Sequence, residues 1–324
     1  MTLDIILFIA GIALVLFGAD RLVEGASSVA RRRGLSEFLI GVTIVGIGTS
    51  LPELAVSLFG ALRGSGEIAI GNVAGSNLFN TMLILGVTAL ISPLAFTREN
   101  IRRDIPLCIA ASIVLALFAS RISGGETPFS GGTITRLEGG ILLLSFALYL
   151  WSNFRSGGGA ETGDGDPDAA AKGGSSHPLR PWLQIVFGLA ALVAGGKLFV
   201  DHAVNIATSL GIPESVIANT IMAGGTSAPE LAVCVVAALK GRNQMAIGNV
   251  LGSNVSNILL IIGSSALVTP LRVDRVNHLS LLAVAVSSIV LMLGTIPWRK
   301  SELGRWKGGF FILAYVGYIL MLIL

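Results

Sequence analysis

The sequence predicts an all-α polytopic membrane protein, with ten transmembrane helices in two inverted five-helix repeats and broken helices at a central polar site. Three observations predict it. Of 324 residues, 53% are hydrophobic and 13% charged, where a soluble domain carries roughly a quarter charged residues. Apolar runs of bilayer-spanning length follow one another from end to end. Two groups of polar motifs recur at a constant offset of 177 residues, the distance from Glu53 to Glu230.

The opening "MTLDIILFIAGIALVLFGAD" lacks the basic start and small-residue cleavage site of a secretory signal, and a further hydrophobic segment follows at once, so it reads as the first span. Four more lie near 39–62, 68–90, 105–119 and 137–149. After the fifth comes "SNFRSGGGAETGDGDPDAAAKGGSSHP", rich in Gly, Ala, Ser and Asp and too poor in apolar surface to offset the entropy of ordering. It reads as a flexible linker. Spans six to ten then lie near 182–200, 213–239, 246–268, 279–296 and 308–324. The chain thus divides into a first repeat at 1–155, a linker at 156–180 and a second repeat at 181–324. Five spans is an odd number, so the second copy enters the membrane from the opposite side.

Charge placement gives the orientation. With the N-terminus outside, the alternate loops that face inward, including the linker, hold 16 of the 22 basic residues, as the positive-inside rule expects. Localisation in the cell (inner) membrane with a cytoplasmic linker follows. The net charge of +3 is dispersed among loop anchors and not gathered beside aromatics, which excludes a nucleic-acid partner; the lipid bilayer is the expected one. Cys108 and Cys234 lie inside apolar runs and read as core filler, with no disulfide framework. His177, His202 and His278 form no pair at metal-ligand spacing and read as loop or rim residues.

The repeated motifs carry the chemistry. "GIGTSLPE" at 46–53 answers to "AGGTSAPE" at 223–230, and "AIGNVAGSNLFN" at 69–80 to "AIGNVLGSNVSN" at 246–257. Asn72, Ser76 and Asn80 follow one another at i, i+4 and i+8, and Asn249, Ser253 and Asn257 do the same, so each set makes one polar stripe along a helix. Such a stripe faces protein or water, because an unpaired polar group in hydrocarbon is costly. Interhelical hydrogen bonding is the bland use of the stripe, and close helix packing that of the glycines beside it. Pro52 and Pro229 lack a backbone donor and sit among small residues, which predicts a broken helix at each copy. Freed carbonyls, the hydroxyls of Thr49, Ser50, Thr226 and Ser227, and the carboxylates of Glu53 and Glu230 then form an oxygen-only cage. Hard cations take such ligands, while copper and zinc prefer nitrogen and sulfur.

On these motifs the chain resembles the cation/Ca2+ exchanger superfamily, and within it the prokaryotic sodium/calcium exchanger branch. The resemblance covers essentially the full length. It implies that Thr49, Ser50, Glu53, Ser76 and Asn80 of the first repeat, and Ala223, Thr226, Ser227, Glu230 and Ser253 of the second, line the ion sites, with Gly46 at a carbonyl-donating position. It implies Na+ and Ca2+ as transported ions, exchanged three for one. No cofactor is expected, and a functional monomer is compatible with the sequence, which leaves the oligomeric state open. Asn257 matches a position that is aspartate in an archaeal relative and in potassium-dependent relatives, and asparagine in ordinary animal exchangers; it belongs to the same site and weakens potassium coupling. The expected activity is a secondary antiport by alternating access with no covalent chemistry, so the chain is not an enzyme. H+/Ca2+ antiport, K+-dependent antiport and a cation channel are the other readings, and the channel would need ligands spread along a path.

Overall fold

The computed structural model describes residues 1–120, 132–156, 179–211, 223–295 and 301–323. Its described helices are α1 (Thr2–Arg33), α2 (Glu37–Thr49), α3 (Leu51–Leu62), α4 (Gly66–Ile91), α5 (Ile105–Ala119), α6 (Arg136–Ser156), α7 (Arg180–Ser209), α8 (Ala228–Leu239), α9 (Asn243–Val268), α10 (Arg275–Thr295) and α11 (Arg305–Ile323). Six described helices are long and apolar enough to cross a membrane, and seven when the bent pair α2–α3 is one span. The molecule is therefore an all-helical membrane protein. The linker at 157–178 and the start of the seventh expected span, at 213–222, lie outside the described residues.

Burial sorts the helices into a centre and a periphery. The most apolar stretch of α9 is 94% buried and that of α4 67%, against 22% for α1 and 28% for α7. The first pair carries the polar stripes at the centre. α1 runs antiparallel along α7, with Gly11 against Phe199, Gly18 against Gly188 and Gly25 against Pro181. A Cβ on Gly18 would lie 2.8 Å from the Gly188 oxygen, so only glycine allows the two backbones this approach. The spacing of seven residues keeps these glycines on one helix face.

α1 is longer than the sequence suggested. It was expected to end near residue 20, leaving Arg21 and Arg31–Arg33 in a loop, but it runs to Arg33 and stops at Gly34 in the left-handed conformation, φ 62°. Leu22, Val23, Ala26, Val29 and Ala30 are buried along this extension, so tertiary packing carries the helix past its polar residues. α6 and α7 also outrun the expected spans at 137–149 and 182–200. Four short strands, absent from the expected all-α scheme, close the loops: β1 (Leu94–Ala95) pairs antiparallel with β4 (Glu302–Leu303), and β2 (Gly132–Ile134) with β3 (Leu271–Val273). They pair backbone groups of the connecting segments just outside the helices.

One histidine differs from its expected setting. His278 is buried, not at a rim, with Nε2 3.3 Å from the Ser120 hydroxyl. His202 Nδ1 lies 3.1 Å from Asp4 Oδ1 and ties α7 to the start of α1.

Candidate functional site

Both motif copies break where expected, and with the same backbone geometry. α2 ends at Thr49, Ser50 takes φ −82° and ψ 6°, and α3 leaves at an angle of 47°. In the second copy the short turn Ala223–Gly225 ends before Ser227, at φ −90° and ψ 7°, and α8 begins at Ala228. Pro52 and Pro229 lie in the first turn of the new helix, where a missing N–H costs nothing and the fixed φ suits helix initiation. The prolines therefore start the second helix as much as they interrupt the first. Glu53 and Glu230 follow each proline directly and occupy the first turn too, where the positive end of the helix dipole favours an anion.

Hydrogen bonds cross between the copies at this point. Ser50 Oγ donates to Glu230 Oε1 at 3.2 Å, and Ser227 Oγ donates to Glu53 Oε1 at 3.1 Å. Each serine thus holds the other repeat's glutamate. Both glutamates are 1% exposed, and the second carboxylate oxygen of each has no hydrogen-bond partner among the described residues. The stripes of α4 and α9 add Ser76 Oγ, both amide atoms of Asn80, and Asn257 Oδ1 to the buried polar atoms without a partner among the described residues. Buried polar groups are ordinarily hydrogen-bonded. Seven of the exceptions among the described residues fall on residues that the sequence singles out for an ion site, and others, such as Ser27 Oγ, Tyr149 Oη and Ser265 Oγ, lie elsewhere.

Other expected residues are partly committed. Ser253 Oγ donates to the Gly46 carbonyl at 3.2 Å, and Thr49 Oγ1 reaches the same carbonyl at 3.4 Å and Asn249 Oδ1 at 3.3 Å. Asn257 Nδ2 donates to Asn77 Oδ1 at 3.0 Å, Asn77 Nδ2 to the Asn254 carbonyl at 3.2 Å, and Asn254 Nδ2 to Thr81 Oγ1 at 2.8 Å. This chain of amides joins α4 to α9 across the centre. Thr226 lies in the turn beside Ser227, with Oγ1 lacking a hydrogen-bond partner among the described residues. Ala223 opens the short helical turn.

Two features were not foreseen. The stripe helices switch from α to π geometry at Phe79–Ile84 and Asn257–Ile262, at the level of Asn80 and Asn257, and α2 does so at Gly41–Val45. π-turns of this kind concentrate at functional sites. Cys234, read as core filler, accepts from Asn249 Nδ2 at 3.2 Å, and Ser57, which was not singled out, accepts from Asn72 Nδ2 at 3.0 Å. The same offset of 177 relates Ser57 to Cys234, so the signal was present in the sequence. The glycines beside the stripes divide their uses. A Cβ on Gly252 would meet Val42 Cα at 2.6 Å, which is close packing against α2, whereas one on Gly75 would meet nothing within 4 Å.

Two carboxylates, neutral hydroxyls, amide oxygens and carbonyls form a donor set that fits a hard cation. No group of three or more His, Cys, Asp or Glu side chains suited to a metal occurs among the described residues, so most of the donors are uncharged. Weak neutral donors favour an ion that is bound and released over one that is kept.

Comparison with known proteins finds relatives and a solved fold that match nearly the whole chain. The sodium/calcium exchanger MaX1 of Methanosarcina acetivorans is 32% identical over 352 residues, covering 99% of this chain and 99% of that protein. The inner membrane protein YrbG of Escherichia coli is 32% identical over 328 residues, covering 99% and 97%. The solved structure of the sodium-calcium exchanger NCX_Mj soaked with Na+ and Sr2+ matches with a TM-score of 0.80 at 30% identity, over 98% of each chain. A family model described as sodium/calcium exchanger protein matches residues 3–155 and 180–324, and the chain belongs to that family.

Proposed function

We propose that this protein is a secondary antiporter that exchanges Na+ for Ca2+ by alternating access, with Glu53 and Glu230 at the centre of overlapping sites for both ions. The observation that carries the reading is the crosswise pair of bonds from Ser50 to Glu230 and from Ser227 to Glu53, which leaves on each buried carboxylate one oxygen without a partner among the described residues. Two buried carboxylates repel and are costly without a counter-ion. A divalent ion, or sodium ions on the same oxygens, removes that cost. The empty site keeps it, and so opposes return without cargo.

Ser50, Ser76, Asn80, Ser227, Ser253 and Asn257 supply side-chain oxygens, and Thr49 and Thr226 supply backbone carbonyls beside the glutamates, with further backbone oxygens from Gly46 and Ala223. The arrangement rests on ten spans, five at 1–155 and five inverted at 181–324, joined by a cytoplasmic linker at 156–180, with the N-terminus outside. The matched breaks at Ser50 and Ser227 and the paired π-turns support the repeat. The inner membrane is the setting, as in the name of the Escherichia coli relative, and one copy of the chain holds both halves of the site.

The test is uptake of radioactive Ca2+ into sealed proteoliposomes loaded with Na+. An outward Na+ gradient should drive Ca2+ in. Exchange of three Na+ for one Ca2+ moves one net charge, so uptake should also follow the membrane potential, worth about 2.3 kcal/mol per 100 mV. Uptake that ignored Na+ and followed a pH gradient would replace this reading with H+/Ca2+ antiport.

A further inference from the structure

Behind the oxygens that face the ion, each repeat carries one asparagine in an unusual setting. Asn72 on α4 donates from Nδ2 to the backbone carbonyl of Glu53 at 3.2 Å and to Ser57 Oγ at 3.0 Å. Asn249 on α9 donates from Nδ2 to the backbone carbonyl of Glu230 at 3.5 Å and to Cys234 Sγ at 3.2 Å. The two sets of contacts span the same sequence separations, 19 and 15 residues, in both repeats. An arrangement made twice at the same separations, with a hydroxyl in one copy and a thiol in the other, has a local purpose.

We propose that Asn72 and Asn249 are the positioning residues of the two glutamates. Resting on the exchanger reading above, the inference adds that each amide fixes the main chain of its glutamate against the stripe helix, so that carboxylate and stripe oxygens keep one spacing. A carbonyl in the first turn of α3 or α8 already accepts a bond within its own helix; the amide adds a second from the neighbouring helix and takes up the next turn through Ser57 or Cys234. The glutamate carboxylate then stands on a backbone held from two sides. Neither asparagine presents its amide nitrogen to the ion, since that nitrogen is spent on the protein.

The two clamps differ in strength. Asn249 is fully buried and its oxygen also accepts from Thr49 Oγ1 at 3.3 Å, which ties the second repeat's clamp to the first repeat's break. Asn72 is half-buried, and Thr226 Oγ1, the repeat equivalent of that donor, has no hydrogen-bond partner among the described residues. Loss of Asn249 should therefore weaken the site more than loss of Asn72.

The experiment is a Ca2+ binding isotherm on purified, folded full-length protein, alongside the concentration dependence of exchange in proteoliposomes. Asn72→Ala, Asn249→Ala and the volume-conserving Asn72→Leu and Asn249→Leu are compared. Each should raise the half-saturating Ca2+ concentration by about tenfold, the worth of about one lost hydrogen bond, with the Asn249 pair raised further and the maximal exchange rate changed less. A merely structural role would reduce thermal stability and yield while leaving half-saturation of the folded fraction at the wild-type value. That result, or wild-type binding by either Leu variant, overturns the proposal. Wild-type protein that binds Ca2+ but does not exchange it against Na+ would overturn the antiport reading and leave the positioning role to be judged on the isotherms alone.

Discussion

At the scale of single residues the two glutamates dominate. A carboxylate within a bilayer costs about 3 kcal/mol on insertion scales, and here two of them are each held by one serine from the other repeat. Glu53→Gln and Glu230→Gln keep the side-chain volume and remove the charge. Ca2+ binding and exchange should collapse in both while the fold survives or gains stability, since a neutral amide is cheaper to bury than a carboxylate. Binding isotherms and tracer exchange, with Glu24→Gln as the exposed control, check this; wild-type exchange by both variants would remove the paired-glutamate site. The site residues were legible because repetition marks them: Glu, Thr, Ser and Asn recur at one offset inside apolar runs. Cys234 was not, because a thiol in an apolar run looks like filler until its serine counterpart Ser57 is compared with it. His278 was misplaced for a similar reason. Its position before a hydrophobic run suggested a rim, and only the packing of its neighbours buries it.

At the scale of elements, close approach is governed by glycine pairs in which two neighbours on one helix have opposite surroundings. A Cβ on Gly139 of α6 would lie 2.8 Å from the Gly263 oxygen, and one on Gly308 of α11 2.7 Å from the Gly86 oxygen, whereas Gly140 and Gly309 have nothing within 4 Å. Gly139→Ala and Gly308→Ala should each destabilise by about 1–3 kcal/mol through overpacking. Gly140→Ala and Gly309→Ala should be neutral or stabilise by up to about 1 kcal/mol through helix propensity. Thermal unfolding in detergent separates the two cases; equal effects within a pair would show that the contact does not matter. Hydropathy located the helices and proline located the breaks, since both are properties of composition. The π-turns escaped, because one extra residue in a hydrogen-bonded ring leaves no trace in an apolar run. The end of α1 escaped because Gly25, Ser27 and Arg31 resemble a loop, while Ala26, Val29 and Ala30 between them are buried.

At the scale of the molecule, the two halves of the sequence are not two bodies. α6 of the first half rests on the end of α9, α11 of the second rests on α4, and α1 lies along α7. Both small sheets pair a strand from one half with a strand from the other. Covalent continuity through the linker should therefore matter little to function. Replacing 157–176 by a shorter Gly/Ser segment that still spans its ends should leave maximal flux near wild type; altered Ca2+ selectivity in the folded variant would assign the linker a regulatory role. The exchange of elements also bears on synthesis. A chain emerging from its N-terminus finishes every residue of the first half before α7, α9, α11, β3 and β4 exist. The glycine face of α1 and the Gly139 face of α6 must then wait with lipid or a chaperone as neighbour, and the strands β1 and β2 wait without their partners. Assembly becomes a late event, and both glutamates acquire their crossing serines in the same step, so no half-built precursor holds a competent ion site.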